Sequence, residues 1–135
     1  MTSQVIALTI SMIHLAETER GVVPYDLKGE LQITRAFVDD VNRINRMHNN
    51  PRRFLLSERM NLKASKEMAA IWLIYYGVKA EKATGRPMNE YDLCMLYNKG
   101  YAGYMRGEGA SYLSMIRGKV ALLPKADSLR KALRI

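Results

Sequence analysis

Apolar residues return at helical intervals in several separate stretches of this chain, and that periodicity confines it to a mainly α fold. Val5, Ile6, Leu8, Ile10, Met12, Ile13 and Leu15 trace one broad buried face, which predicts a first helix ending near Glu19. Ile33, Phe37, Val38, Val41 and Ile44 predict a second over residues 32–44, stopped by Asn49-Asn50-Pro51. Over residues 65–82, Met68, Ala69, Ile71, Trp72, Tyr75, Tyr76 and Val78 form a long stripe, the expected central core helix. Gly85-Arg86-Pro87 breaks the chain, and Asn89 is suited to cap a helix bearing Leu93, Met95 and Leu96 that ends near Asn98-Lys99-Gly100. A glycine-rich connection through Gly103, Gly107 and Gly109 then leads to a helix over residues 111–122 and a short basic one over 126–133.

The intervening segments carry less order. Residues 20–29 hold two glycines, Pro24 and the β-branched pair Val22-Val23, a loop or at most a small β-hairpin. Residues 52–61 are basic and irregular. With 135 residues, 48% of them apolar, the chain suffices for one packed core and not comfortably for two. The expected organisation is a single domain over 1–135, with 121–135 a basic C-terminal helix or tail. The longest apolar stretches, residues 3–16 and 68–78, fall short of the roughly 20 apolar residues a membrane span requires, so a soluble protein without a transmembrane segment is expected.

Composition narrows the chemistry. Cys94 is the only cysteine, so no disulfide forms within the chain. His14 and His48 stand apart and no His or Cys cluster has ligand spacing, so no metal is expected. The phosphate-cradling glycine loop of nucleotide enzymes is missing too, and no cofactor is expected. Lys and Arg number 21 against 13 Asp and Glu, a formal charge of +8 that favours approach to a polyanion such as the bacterial envelope or nucleic acid. No Lys or Arg precedes Arg20, so no signal peptide is expected.

Three short pieces carry the candidate chemistry. Glu17-Thr18 closes the first apolar helix, where a rigid backbone and apolar neighbours would partly desolvate the carboxyl. Gly29-Glu30-Leu31-Gln32-Ile33 follows, and Tyr97-Asn98-Lys99-Gly100 lies far downstream. Taken singly these are ordinary: a solvated helix-end Glu, a loop glycine with an exposed Gln, a core Tyr before a helix-ending Asn. In this order and spacing they resemble the lytic transglycosylase and goose-type lysozyme family. The second piece is similar to its Gly-x-x-Gln-Ile segment and the third to its Ala-x-x-Tyr-Asn-x-Gly segment. Asp39-Asp40-Val41-Asn42-Arg43 resembles phage-type members, and Tyr101-Ala102-Gly103-Tyr104 with Ser111-Tyr112-Leu113 resembles the family's ending. The likeness runs over about residues 3–120. The family's Glu-Ser-Gly-Gly reads Glu17-Thr18-Glu19-Arg20-Gly21 here, and the stretch from Glu17 to Gly29 is shorter than in most members.

The resemblance implies a lysozyme-like domain with a substrate cleft, acting on the glycan strands of peptidoglycan. Glu17 would be the general acid and base, and Thr18, Leu31, Gln32, Tyr97, Asn98 and Tyr101 substrate contacts. It further implies cleavage of the MurNAc-β-1,4-GlcNAc bond with formation of a 1,6-anhydro-MurNAc end, since no second acid is specified. If water were held instead, the same cleft would act as a lysozyme (muramidase), with Glu19, Asp26, Asp39 or Asp40 as activators. Delivery to the periplasm or cell wall by a phage particle, a holin pore or a secretion machine is expected, with proteins of that particle or machine as partners. Two further alternatives remain open. One is a basic nucleic-acid-binding module using Arg43, Arg46, Arg52, Arg53, Arg59, Lys125, Arg130, Lys131 and Arg134. The other is an inactive structural virion protein that keeps the fold.

Overall fold

Five α-helices and one 3-10 turn make up the regular structure of the described residues, 1–18 and 28–122, in the computed structural model of the chain. The side chains of Thr18 and Leu122 are outside that description. In order come α1 (Ser3–Thr18), α2 (Arg35–Met47), the 3-10 turn Leu56–Met60, α3 (Leu62–Thr84), α4 (Glu90–Met105) and α5 (Ala110–Leu122). No strand occurs among the described residues, in keeping with the mainly α pattern. The small hairpin expected within residues 20–29 falls largely in 19–27, and the basic tail or helix falls beyond Leu122; both lie outside the described residues.

Polar residues at the helix starts set the boundaries. Thr34 accepts from the Phe37 amide at 3.1 Å and Asn61 from the Ala64 amide at 2.9 Å, satisfying donors that a helix start leaves open. Asn89 and Asp92 form a reciprocal capping box at 2.9 and 3.2 Å. Gly85, left-handed at φ 69°, closes α3. The second helix therefore starts three residues later than periodicity suggests, because Thr34 caps it and Gln32 belongs to the preceding turn. The fourth runs past Gly100 to Met105, but Gly100 (φ 73°, ψ 170°) interrupts it with a kink where the sequence predicts an end.

The helices share one apolar core. Met12, Ile13, Met68, Leu73, Leu93, Leu96 and Ile116 are fully buried where α1, α3, α4 and α5 meet. Asn45, buried on α2, donates to the Arg52 carbonyl at 3.0 Å, while Asn42 exchanges bonds with Phe54 at 2.7 and 3.0 Å. These bonds fasten the irregular segment 52–54 to α2. Cys94 is buried, and that burial pushes its thiol up, away from reactivity. No helix among the described residues is long and apolar enough to cross a membrane.

Candidate functional site

Where α1 ends, the helical backbone fixes Glu17 in place, and the carboxyl-bearing residue is only 6% exposed. Tyr112 on α5 donates its hydroxyl to Glu17 Oε1 at 2.9 Å, across 95 residues of sequence. A carboxylate this deep needs such a donor, because an unsatisfied buried acceptor is costly. Burial, followed by the nearby Glu17 charge, pushes the Tyr112 hydroxyl well above the usual phenol range. Tyr97 is pushed up for the same two reasons, so both phenols remain neutral donors beside the carboxyl.

The second piece forms a tight turn beside it. The Gly29 carbonyl accepts both the Gln32 amide at 3.1 Å and the Gln32 side-chain Nε2 at 2.9 Å. Gln32 is left-handed at φ 54°, a conformation that ordinarily costs a non-glycine residue about 1–2 kcal/mol and is held here by its own side chain. Gly29 is left-handed too, and a Cβ there would stand 2.0 Å from the Arg59 carbonyl oxygen. Only glycine allows the turn to pack so closely on the segment before α3. Tyr97 on α4 then donates its hydroxyl to the Leu31 carbonyl at 2.8 Å, tying the third piece to the second.

These contacts enclose a cavity of about 1140 Å³. From the three sequence pieces, Glu17, Leu31, Gln32, Tyr97, Asn98, Lys99 and Gly100 line it. Five of the seven expected site residues therefore meet in one place. Tyr101, just past the kink, does not line the cavity: its ring packs on Tyr76 at 5.8 Å and Lys79 Nζ lies 4.5 Å from its centroid. The side chain of Thr18 lies outside the described residues, as do Glu19 and Asp26. Asp39 and Asp40 both face the cavity.

Periodicity alone hides part of the wall. Phe37 and Trp72, members of the core stripes by spacing, stack with ring centroids 5.3 Å apart and line the cavity. Phe37 also meets the Tyr97 ring edge-on at 5.4 Å. Trp72 leans on Tyr76 at 4.6 Å. Tyr76 donates to Asp40 Oδ2 at 2.6 Å, and burial together with that carboxylate pushes its phenol up to about 12. Arg43 holds the other Asp40 oxygen at 2.8 Å, so Asp40 is committed on both sides. Lys28, Arg46 and Lys99 bring further positive charge to the rim. In the sequence, Asp39 and Asp40 stand out as candidate activators and Arg43 and Arg46 only as members of a scattered basic set, and nothing marks the aromatic rings as a wall.

Among the described residues no group of three or more His, Cys, Asp or Glu side chains could hold a metal ion. The arrangement offers one buried carboxyl, neutral hydroxyl donors, an amide-bearing turn and a broad aromatic wall. Such a set can move a proton at a single oxygen while flat apolar rings carry a ligand's faces. Comparison with family models, with curated proteins and with solved structures yields no match to this chain.

Proposed function

We propose that the chain is a peptidoglycan lytic transglycosylase with a lysozyme-like fold, in which Glu17 acts as general acid and then general base. The observation that carries this reading is the convergence of three sequence-distant pieces on one cavity with a buried carboxyl on its wall. A volume of about 1140 Å³ suits several linked sugar rings rather than one small molecule. The Phe37–Trp72 stack offers the flat apolar surface that pyranose faces prefer.

The reaction follows from one acid used twice. Glu17 gives its proton to the glycosidic oxygen as the C1–O bond breaks, and the GlcNAc hydroxyl departs. The N-acetyl oxygen of the muramoyl residue supports the electron-poor C1, as in substrate-assisted glycosidases. The muramoyl C6 hydroxyl then closes on C1 and returns its proton to Glu17, leaving a 1,6-anhydro end and the acid restored. Tyr112 steadies the carboxyl throughout, while Gln32 and Asn98 supply amides for the sugar substituents.

A second reading, hydrolysis by the same acid, is favoured by Asp39, which faces the cavity and could activate water; Asp40 is already engaged by Tyr76 and Arg43. The nucleic-acid alternative draws less support, because two of its arginines are engaged internally and its tail residues Lys125, Arg130, Lys131 and Arg134 lie outside the described residues. Arg52 pairs with Glu58 at 2.8 Å and stacks over Phe54, and Arg59 donates to the Ile33 carbonyl. The reaction would be carried out in the cell wall, with delivery by a phage particle, holin or secretion machine. The test is release of soluble fragments from purified peptidoglycan by wild type and by Glu17→Gln. Release by wild type alone supports the proposal, and release by neither turns it toward an inactive structural protein.

A further inference from the structure

Resting on that reading, we infer that the α2 end of the cavity recognises a carboxylate of the peptide stem borne by the glycan, with Arg46 as the principal contact, so that stem-bearing strands are the preferred substrate. Phe37 marks the Glu17 end, since its ring meets Tyr97, which also senses the Glu17 charge. At about 1.5 Å of rise per residue, Arg43 and Arg46 stand roughly 9 and 14 Å further along α2. Both line the same cavity. A ligand cleaved at Glu17 therefore reaches them only through groups well removed from the broken bond.

The two arginines differ in availability. Arg43 is occupied: it holds Asp40 at 2.8 Å and also donates to the Tyr76 hydroxyl at 3.1 Å. Arg46 is exposed on the next turn, with no ion pair for its guanidinium among the described residues. Asp39, the remaining α2 carboxylate of the wall, lies about 10.5 Å back along the axis and leaves that charge unneutralised. Lys99, exposed on α4, adds a second cation to the cavity rim. Uncharged sugar rings give such cations nothing to pair with, whereas the stem carboxylates lie on the same substrate and suit the planar fork of an arginine.

The test compares glycan strands carrying their stems with the same strands stripped by an amidase and capped as simple amides at the lactyl carboxylates so freed, using the full chain. Wild type is expected to favour stem-bearing strands at least tenfold in kcat/KM, chiefly through KM. In Arg46→Glu that ratio should fall toward one, with Arg46→Gln intermediate and far-ultraviolet circular dichroism confirming the fold. A direct arm titrates free stem tetrapeptide into wild type and Arg46→Glu by calorimetry, with binding expected in the first and lost in the second. Equal turnover of the two strands by wild type, or a preference that survives Arg46→Glu, overturns the inference while leaving catalysis standing. Should neither strand be cleaved, the catalytic reading fails and the peptide titration decides: Arg46-dependent binding upholds the carboxylate site. No binding, or binding only of an oligonucleotide offered in its place, overturns it.

Discussion

One carboxyl and the hydroxyl that holds it carry the proposed chemistry. Tyr112→Phe removes the 2.9 Å donor to Glu17 while keeping the ring that fills the core. Leaving a buried acceptor without its donor costs about 1–3 kcal/mol, so the variant should melt earlier and turn over at least tenfold more slowly. Little change in KM is expected, because Tyr112 is not on the cavity wall. Unchanged melting and kcat would show that the hydroxyl contributes nothing. Glu17 itself was legible only through its resemblance to a family motif, since a helix-end Glu is usually solvated. That Tyr112 reaches it was not legible: 95 residues separate the pair, and no local pattern reports such a contact. Trp72 was legible as an apolar position but not as a wall, because spacing cannot separate the innermost core from its ligand-facing edge. It is the sole tryptophan, so its emission should shift on titration with a soluble N-acetylated oligosaccharide, in Glu17→Gln as in wild type. A flat titration would mean that the cavity does not bind sugar.

Among the elements, the turn before α2 and the kink in α4 decide the site's shape. At Gly29 an added Cβ meets a backbone oxygen at 2.0 Å and a left-handed φ of 75°. Gly29→Ala should therefore destabilise the fold by more than about 2 kcal/mol, seen as a lower urea midpoint. Gly100, at φ 73° and ψ 170°, holds a conformation essentially confined to glycine, but no heavy atom stands within 4 Å of a Cβ there. Gly100→Ala should cost about 1–3 kcal/mol from its dihedrals alone, less than Gly29→Ala with its added clash, and act on activity by redirecting Asn98 and Lys99. Equal loss of stability in the two variants would contradict this. Helix identities were readable from apolar spacing and from the cap Asn89, whereas Asn61, read only as the end of an irregular segment, proves to cap α3. The kink was not, because a Gly at the end of a periodic run reads as a stop when the chain beyond it resumes a helix in a new direction.

For the whole molecule, the buried phenols of Tyr97 and Tyr112 make stability depend on pH at the alkaline end. Both are held above their ordinary value by burial and by Glu17, so the folded state keeps protons that the unfolded state releases. Their contribution is complete below about pH 10 and declines as pH rises beyond it. Melting temperature should fall steeply above pH 10, less so in Tyr112→Phe; a variant with the same alkaline slope as wild type would exclude Tyr112 as a source. The mainly α architecture was legible as a whole from periodicity, whereas the cavity exists only when α1, α2, α3 and α4 are assembled. No single stretch of sequence encodes it.

Mass analysis of muropeptides released from purified peptidoglycan by the wild-type chain and by Glu17→Gln tests the proposed role of that carboxyl. Anhydro-muramoyl ends should accumulate with wild type and fall by at least about 10²–10⁴-fold in the variant, the range that general acid–base catalysis contributes. Muropeptides with reducing ends would move the assignment to hydrolysis, and anhydro products undiminished in Glu17→Gln would contradict the role given to that carboxyl.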